Sequence, residues 1–435
     1  MAATALYVAV PPPCAAAKFS AGQTLTQMIT SAQRDNKELL AARYAVDIGR
    51  AKLLQAGLLP NPRVTIGGAS DFAFRDEGAY GAAVGVSQDF PMAGRILRQQ
   101  DVARVDVALA QAEVADAERR IAGEVAGSVY RILIVGRQIE THDGLIAIDQ
   151  RLGRATRSRF KSAEVSELDV NAVSLDLQRL TQERARLQAQ HETLRIELNL
   201  TLGRAAASAL NLAQIPLAAE PLAGAVDPDA ALARRPDFTM AALQVDRARA
   251  EVALANAKRW DDWNIGVGIQ QDRQAITGAP RQGNDRALTV TLTIPLALAG
   301  RSRGLIAAAA AATEERRARL DALKLAIENQ IAAAHAATAS LQALLSGYEK
   351  EVLPVAERNV ALAQKGYGQG LVTILEVVQA QRQFGDLQGA YLATLDQYLQ
   401  GRVRLHVALS DYPLLDLTDT TSPLHDDAVQ QEATQ

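Results

Sequence analysis

The sequence predicts a mainly α-helical chain made of two copies of one unit, each a pair of strands joined to very long helices. Three observations carry that prediction. The chain repeats itself at a nearly constant spacing, two matching stretches switch to two-residue periodicity, and long spans without proline carry apolar residues every seven positions.

The duplication is clearest where Phe160-Lys161-Ser162-Ala163-Glu164-Val165-Ser166-Glu167-Leu168-Asp169-Val170 answers Tyr367-Gly368-Gln369-Gly370-Leu371-Val372-Thr373-Ile374-Leu375-Glu376-Val377, an offset of 207 that also joins Leu202 to Leu409. Upstream, Phe90-Pro91-Met92-Ala93-Gly94-Arg95 answers Ile294-Pro295 through Gly300-Arg301, with Gly94 and Gly300 differing by 206, and Val46-Asp47 answers Val245-Asp246 at 199. The offset grows mainly between these last two anchors, so the second copy has the longer loop there. The division is a leader remnant or flexible N-terminus at 1–22, a first repeat at 23–202, a connector rich in Ala and Pro at 203–227, a second repeat at 228–412 and a polar tail at 413–435.

Composition narrows the class. The 435 residues are 48% hydrophobic and 22% charged, too apolar for a largely disordered chain, and aromatics supply only 4%, which favours close helix-on-helix packing. With a net charge of −3 and bases alternating with acids along helices, no face suits nucleic acid. Cys14 is the single cysteine and forms no internal disulfide; it follows Pro11-Pro12-Pro13, where a lipid-attachment site wants small and aliphatic residues. No apolar run approaches the ~20 residues of a membrane-spanning helix, so membrane insertion would have to use strands.

The strands are expected at about 63–75, 79–90, 262–272 and 286–295. In the first, Val64, Ile66, Phe72 and Phe74 share a face opposite Arg63, Thr65, Asp71 and Arg75; in the second, Tyr80, Ala82, Val84, Val86 and Phe90 oppose Gly81, Gly85, Ser87 and Asp89. The second copy sets Trp263, Ile265, Val267 and Ile269 against Asn264, Gly266, Gly268 and Gln270, then Leu288, Val290, Leu292 and Ile294 against Thr289, Thr291 and Thr293. Such lengths match the ~9–11 residues of a tilted membrane strand, and Phe72, Tyr80, Phe90, Trp260 and Trp263 lie towards strand ends like an interfacial girdle. Soluble hairpins share the same periodicity. Four strands cannot close a barrel, however, and an open edge cannot sit in lipid, so strands in a membrane require several chains to share one barrel.

The helical spans follow from what is missing. Proline is absent from Ile96 to Ile215, and Arg95 to Gln138 alone would reach ~65 Å. Val173, Leu180, Leu187 and Leu194 form one seven-residue seam, and Val377, Phe384, Tyr391, Tyr398 and Leu405 another; His191 on such a seam reads as packing or register. Pro354 sits where a helix can start. Gly370 can end one helix in positive φ while Thr373-Ile374-Leu375-Glu376 opens the next as a capping box, with Ser166-Glu167-Leu168-Asp169 as the weaker counterpart. In a symmetric assembly Asp169 and Glu376 would each become a ring of carboxylates.

These pieces, with Pro60-Asn61-Pro62, Ser87-Gln88-Asp89-Phe90-Pro91 before Gly94-Arg95, and Leu353-Pro354, resemble the TolC-like outer membrane efflux proteins across roughly residues 23–412, closest to the cobalt-zinc-cadmium resistance branch. The resemblance implies a homotrimer in the bacterial outer membrane: four strands per chain in a shared twelve-stranded membrane β-barrel, above a periplasmic α-helical tunnel. It implies partners too, a periplasmic adaptor and an inner-membrane pump of the resistance-nodulation-division type. Ala163, Glu164, Val165 and Ser166, with Gly370, Leu371, Val372 and Thr373, would be the adaptor-docking tips, and Glu376 and Asp169 would lie at the constriction. The first tip departs from the pattern, carrying Ala163-Glu164 where the second has Gly370-Leu371. The function so implied is passive efflux, of heavy-metal cations first, with drug efflux or type I protein secretion as alternatives.

A soluble coiled-coil scaffold is the reading from another class, separable by membrane fractionation. An enzyme is not expected: the chain has no H-E-x-x-H, G-x-S-x-G or phosphate loop, no His, Cys or acidic cluster with metal-ligand spacing, and no cofactor signature.

Overall fold

The computed structural model describes residues 23–71, 73, 79–212, 215, 217, 227–274, 283–296 and 302–411. Cys14 and the rest of 1–22, Phe72 and Phe74, the connector residues 213, 214, 216 and 218–226, Gly300-Arg301 and the polar tail lie outside them.

The first copy runs α1 (Leu25–Asp35), α2 (Lys37–Ala56), β1 (Arg63–Ser70), β2 (Tyr80–Phe90), α3 (Arg95–Lys161) and α4 (Glu167–Thr201). The second runs α5 (Pro228–Arg234), α6 (Pro236–Ala257), β3 (Trp263–Arg273), β4 (Asp285–Thr293), α7 (Arg303–Gly347), a π turn (Tyr348–Val352), α8 (Leu353–Gly368) and α9 (Ile374–Leu409). At 67 residues α3 spans roughly 100 Å, longer than the sequence estimate because no breaker intervenes before Ser162. It packs along α2, α4, α6 and α9, while α7 lies against α6 and α9. Val173, Leu180, Leu187 and Leu194 are all buried; in the other seam Val377, Tyr398 and Leu405 are buried, with Phe384 and Tyr391 half-buried.

The pseudo-symmetry extends to hydrogen bonds. Asn36, which caps α2, donates from Nδ2 to the Thr201 carbonyl at the end of α4 (2.9 Å). At the matching place Arg235 donates from Nη1 to the Ala408 carbonyl near the end of α9 (3.1 Å). Each long returning helix is thus closed by the junction between the two short helices of its own copy, answering carbonyls that would otherwise lack partners. Beyond them the chain turns through Gly203 (φ 70°) and Ser410 (φ 50°). Only glycine fits the first, since a Cβ there would meet the Asp35 carbonyl oxygen at 2.2 Å.

Along their long helices the copies differ by one residue. Buried Ile121 and Val125 of α3 correspond to buried Ile327 and Ile331 of α7 at an offset of 206, whereas Asp149 and Phe160 correspond to Ala356 and Tyr367 at 207. The single extra residue is taken up between them, where the π turn lies. Pro354 lies in the first turn of α8, as its sequence position suggested, directly after the π segment, where its missing N–H costs least.

The four strands form one antiparallel sheet in the order β1-β2-β3-β4, leaving β1 and β4 as edges. β1 stops at Ser70, short of the expected 75, where Asp71 N–H bonds the Ala79 carbonyl (3.2 Å) and Asp71 Oδ2 accepts from Ala79 N–H (3.1 Å), closing the ladder. The other three strands begin and end within two residues of expectation.

Candidate functional site

Two regions gather the residues singled out in the sequence: the end of the helical body where both chain reversals lie, and the sheet at the opposite end.

Both reversals have the same construction. α3 ends with Glu164 N–H bonded to the Arg159 carbonyl (2.9 Å) and Ala163 N–H to the Phe160 carbonyl (2.9 Å); α8 ends with Leu371 N–H on Gly366 (2.9 Å) and Gly370 N–H on Tyr367 (3.1 Å). These are paired 6→1 and 5→2 bonds around one left-handed residue, Ala163 at φ 55° and Gly370 at φ 74°. Each next helix opens on a complete capping box. Asp169 N–H bonds Ser166 Oγ (3.2 Å) and Ser166 N–H returns to Asp169 Oδ2 (2.9 Å); Glu376 N–H bonds Thr373 Oγ1 (3.4 Å) and Thr373 N–H returns to Glu376 Oε2 (2.6 Å). The first box, expected to be the weaker, is fully formed, because an aspartate reaches the N-cap as well as a glutamate does. The bond from the Thr373 backbone, then that from its hydroxyl, holds the Glu376 carboxyl below its ordinary range.

The two reversals lie side by side. The Arg159 guanidinium sits over the Tyr367 ring at 4.7 Å and donates to the Tyr367 carbonyl (3.1 Å), and the Tyr367 hydroxyl meets Thr156 Oγ1 (3.4 Å). Beneath them Val173, Tyr367, Ile374, Val377 and Val378 form a small core. Glu164, Ser166, Gly370, Leu371 and Thr373 are exposed around it, Val165, Val372 and Asp169 half-exposed, and Glu376 exposed. One contact that sequence reading missed is Arg159, which joins the two tips; in the sequence it is one of several arginines near the end of α3, without a spacing that marks it.

At the other end, register sorts the sheet into two faces. Val64, Val86, Val267 and Val290 face one another across all four strands, followed by a row of Ile66, Val84, Ile269 and Leu288. None of these eight is covered in the single chain; Ile66 is 77% exposed. The opposite face is polar: Asp89 pairs with Arg63 (2.8 Å) and accepts from Asn264 Nδ2 (2.7 Å), beside Ser87, Thr289, Thr291 and Thr293. Phe90 stands opposite Trp263 at the helix-proximal end, with Trp260 in the preceding turn, and Tyr80 closes the far end opposite Arg273, its hydroxyl accepting from Gln271 (3.0 Å). Arg95 and Asp262 form an ion pair where sheet meets helix. Among the described residues no helix is long and apolar enough to cross a membrane, and no group of three or more His, Cys, Asp or Glu could hold a metal ion.

Comparison with known proteins agrees with this geometry. The chain is 23% identical over 382 residues to the cobalt-zinc-cadmium resistance protein CzcC of Cupriavidus metallidurans, covering 87% of each chain. Its fold is similar to crystal structures of CusC (TM-score 0.74, 18% identity, 92% of this chain and 96% of that one) and of the outer membrane protein VceC from Vibrio cholerae (TM-score 0.70, 18% identity, 88% and 95%). The profile of the outer membrane efflux proteins matches residues 28–204 and 228–410, one match to each copy of the repeat. The chain belongs to the outer membrane efflux protein family.

Proposed function

We propose that three copies of this chain form the outer-membrane duct of a tripartite pump for heavy-metal cations. Membership of the family already makes the chain an outer-membrane efflux channel, a conduit and not an enzyme, working with a periplasmic adaptor and an inner-membrane pump. The observation that carries the finer reading is the sheet. It has two free edges, a polar face, and an apolar face of two four-residue rows with nothing to cover it. Lipid would cover the apolar face, and pairing β1 of one copy with β4 of the next would remove every edge, giving twelve strands from three chains. Further support comes from α2, where Leu40, Tyr44 and Ile48 recur at four-residue spacing on an exposed stripe that a neighbouring copy would bury.

At the other end, the tip residues Ala163 to Ser166 and Gly370 to Thr373 would meet the adaptor, and threefold symmetry would turn Glu376, with Asp169 near it, into rings of carboxylates at the constriction. Such rings favour cations, as does the cargo in the name of the CzcC relative. Single-channel recording from purified protein in a planar bilayer tests the reading. A pore is expected, with Glu376→Gln lowering its preference for cations. Absence of a pore overturns the channel, an unchanged preference overturns the carboxylate ring, and a deletion strain no more sensitive to zinc, cobalt or cadmium than its parent overturns the cargo.

A further inference from the structure

Above the tip, where α3, α4 and α9 meet, two carboxylates are buried against each other. Asp149 of α3 and Asp176 of α4 are each 1% exposed. Asp176 accepts from Arg382 Nε on α9 (2.7 Å) and Arg179 Nε on α4 (3.0 Å), whereas Asp149 Oδ2 has no partner. Beside them Gln381 of α9, 4% exposed, leaves both amide atoms unpaired. All of these residues line one cavity of about 290 Å³.

A second carboxylate beside Asp176 in a buried site cannot ionise at low cost, so the neutral, protonated form of Asp149 is favoured. Burial, then the charge of Asp176 and a hydrogen bond with it, raises the Asp149 carboxyl to about 7, against the opposing pull of Arg179 and Arg382. The other titratable groups facing the cavity are His142 on α3, Glu183 on α4 and Asp386 on α9. The position is particular to one copy, since its counterpart in α8 is the buried Ala356. Packing alone therefore does not call for a carboxylate there.

We propose that Asp149 and Asp176, with Arg382 and Gln381, form a proton-operated latch that holds α3 and α4 against α9 and, when it loses its proton, loosens the helices above the tip. Its effect on conduction rests on the channel reading; the latch itself does not. The sign follows from the direction of the shift. Loosened helices expose Asp149 to water and restore its ordinary acidity, so the packed form binds the extra proton and is favoured in acid. As pH rises from about 4 to about 7, the ratio of packed to loosened helices falls by up to about tenfold per unit, and it is level above that range.

Infrared titration of the full-length protein reads the proton directly. A carbonyl band of a buried protonated carboxyl is expected to vanish with a midpoint near 7 and to be missing in Asp149→Asn. Spin labels at the exposed Gln150 and Gln383, in a Cys14→Ser background, read the helices. A short-distance population should shrink as pH rises, and in Asp149→Asn, which mimics the neutral form, it should persist at every pH. Distances that ignore pH, a pH response unchanged in Asp149→Asn, or no titrating band each overturn the latch. Wild-type protein without a pore at any pH overturns the channel reading alone, because neither spectroscopic readout depends on current.

Discussion

Ala163 and Gly370 occupy the same place in two nearly identical turns, yet only one is glycine. A left-handed conformation costs an L-residue with a Cβ roughly 1–2 kcal/mol that glycine avoids. Nothing lies within 4 Å of where a Cβ on Gly370 would be, so Gly370→Ala meets no clash and isolates the conformational cost. Destabilisation of the second reversal by about 1 kcal/mol is expected, read as faster amide exchange at Leu371; Ala163→Gly should slow exchange at Glu164. Glu376 adds a pH response of its own. Because bonds from Thr373 lower its pKa, the stabilisation is present above the ordinary glutamate range and is lost as pH falls through the depressed value. Acid should therefore fray the first turn of α9, seen as exchange at Ile374 to Glu376, and Glu376→Gln should show no such acid step.

At the scale of elements, the π turn makes the sharpest forecast. Deleting the exposed Lys350 should convert Tyr348–Val352 to ordinary helix and leave the rest of the pair in register, so that the protein still folds and assembles. Deleting exposed Arg131 from the uninterrupted α3 should shift every buried residue on one side of it and abolish assembly, as protease resistance would report. The helices and strands were largely legible in the sequence because both have periods, and the duplication let each copy check the other. Capping boxes were legible for the same reason: they are local and spaced by three residues. The π turn left only a one-residue change in offset, visible once buried positions marked where to count. Asp149 left less still, for a lone aspartate on a polar-faced helix looks like any solvated one until α4 and α9 bring Asp176 and Arg382 beside it.

For the whole molecule, the two faces of the sheet should respond differently to charge. Ile66→Lys places an ammonium group on the apolar face and should cost about 2–4 kcal/mol in a bilayer, whereas Thr65→Lys on the polar face should be tolerated. Yield of heat-resistant oligomer in outer-membrane fractions checks both, and equal yields would count against lipid on the Ile66 face. The extra residue in the second copy matters on this scale too. Inserted into a plain α-helix, one residue would turn everything beyond it by about 100° and push it about 1.5 Å further along the axis. Taken up in a π turn, it leaves the two tips level and Tyr367 still facing Thr156 and Arg159. Once duplicated, the halves of this chain were thus free to drift in length by a residue without tilting the rim they share.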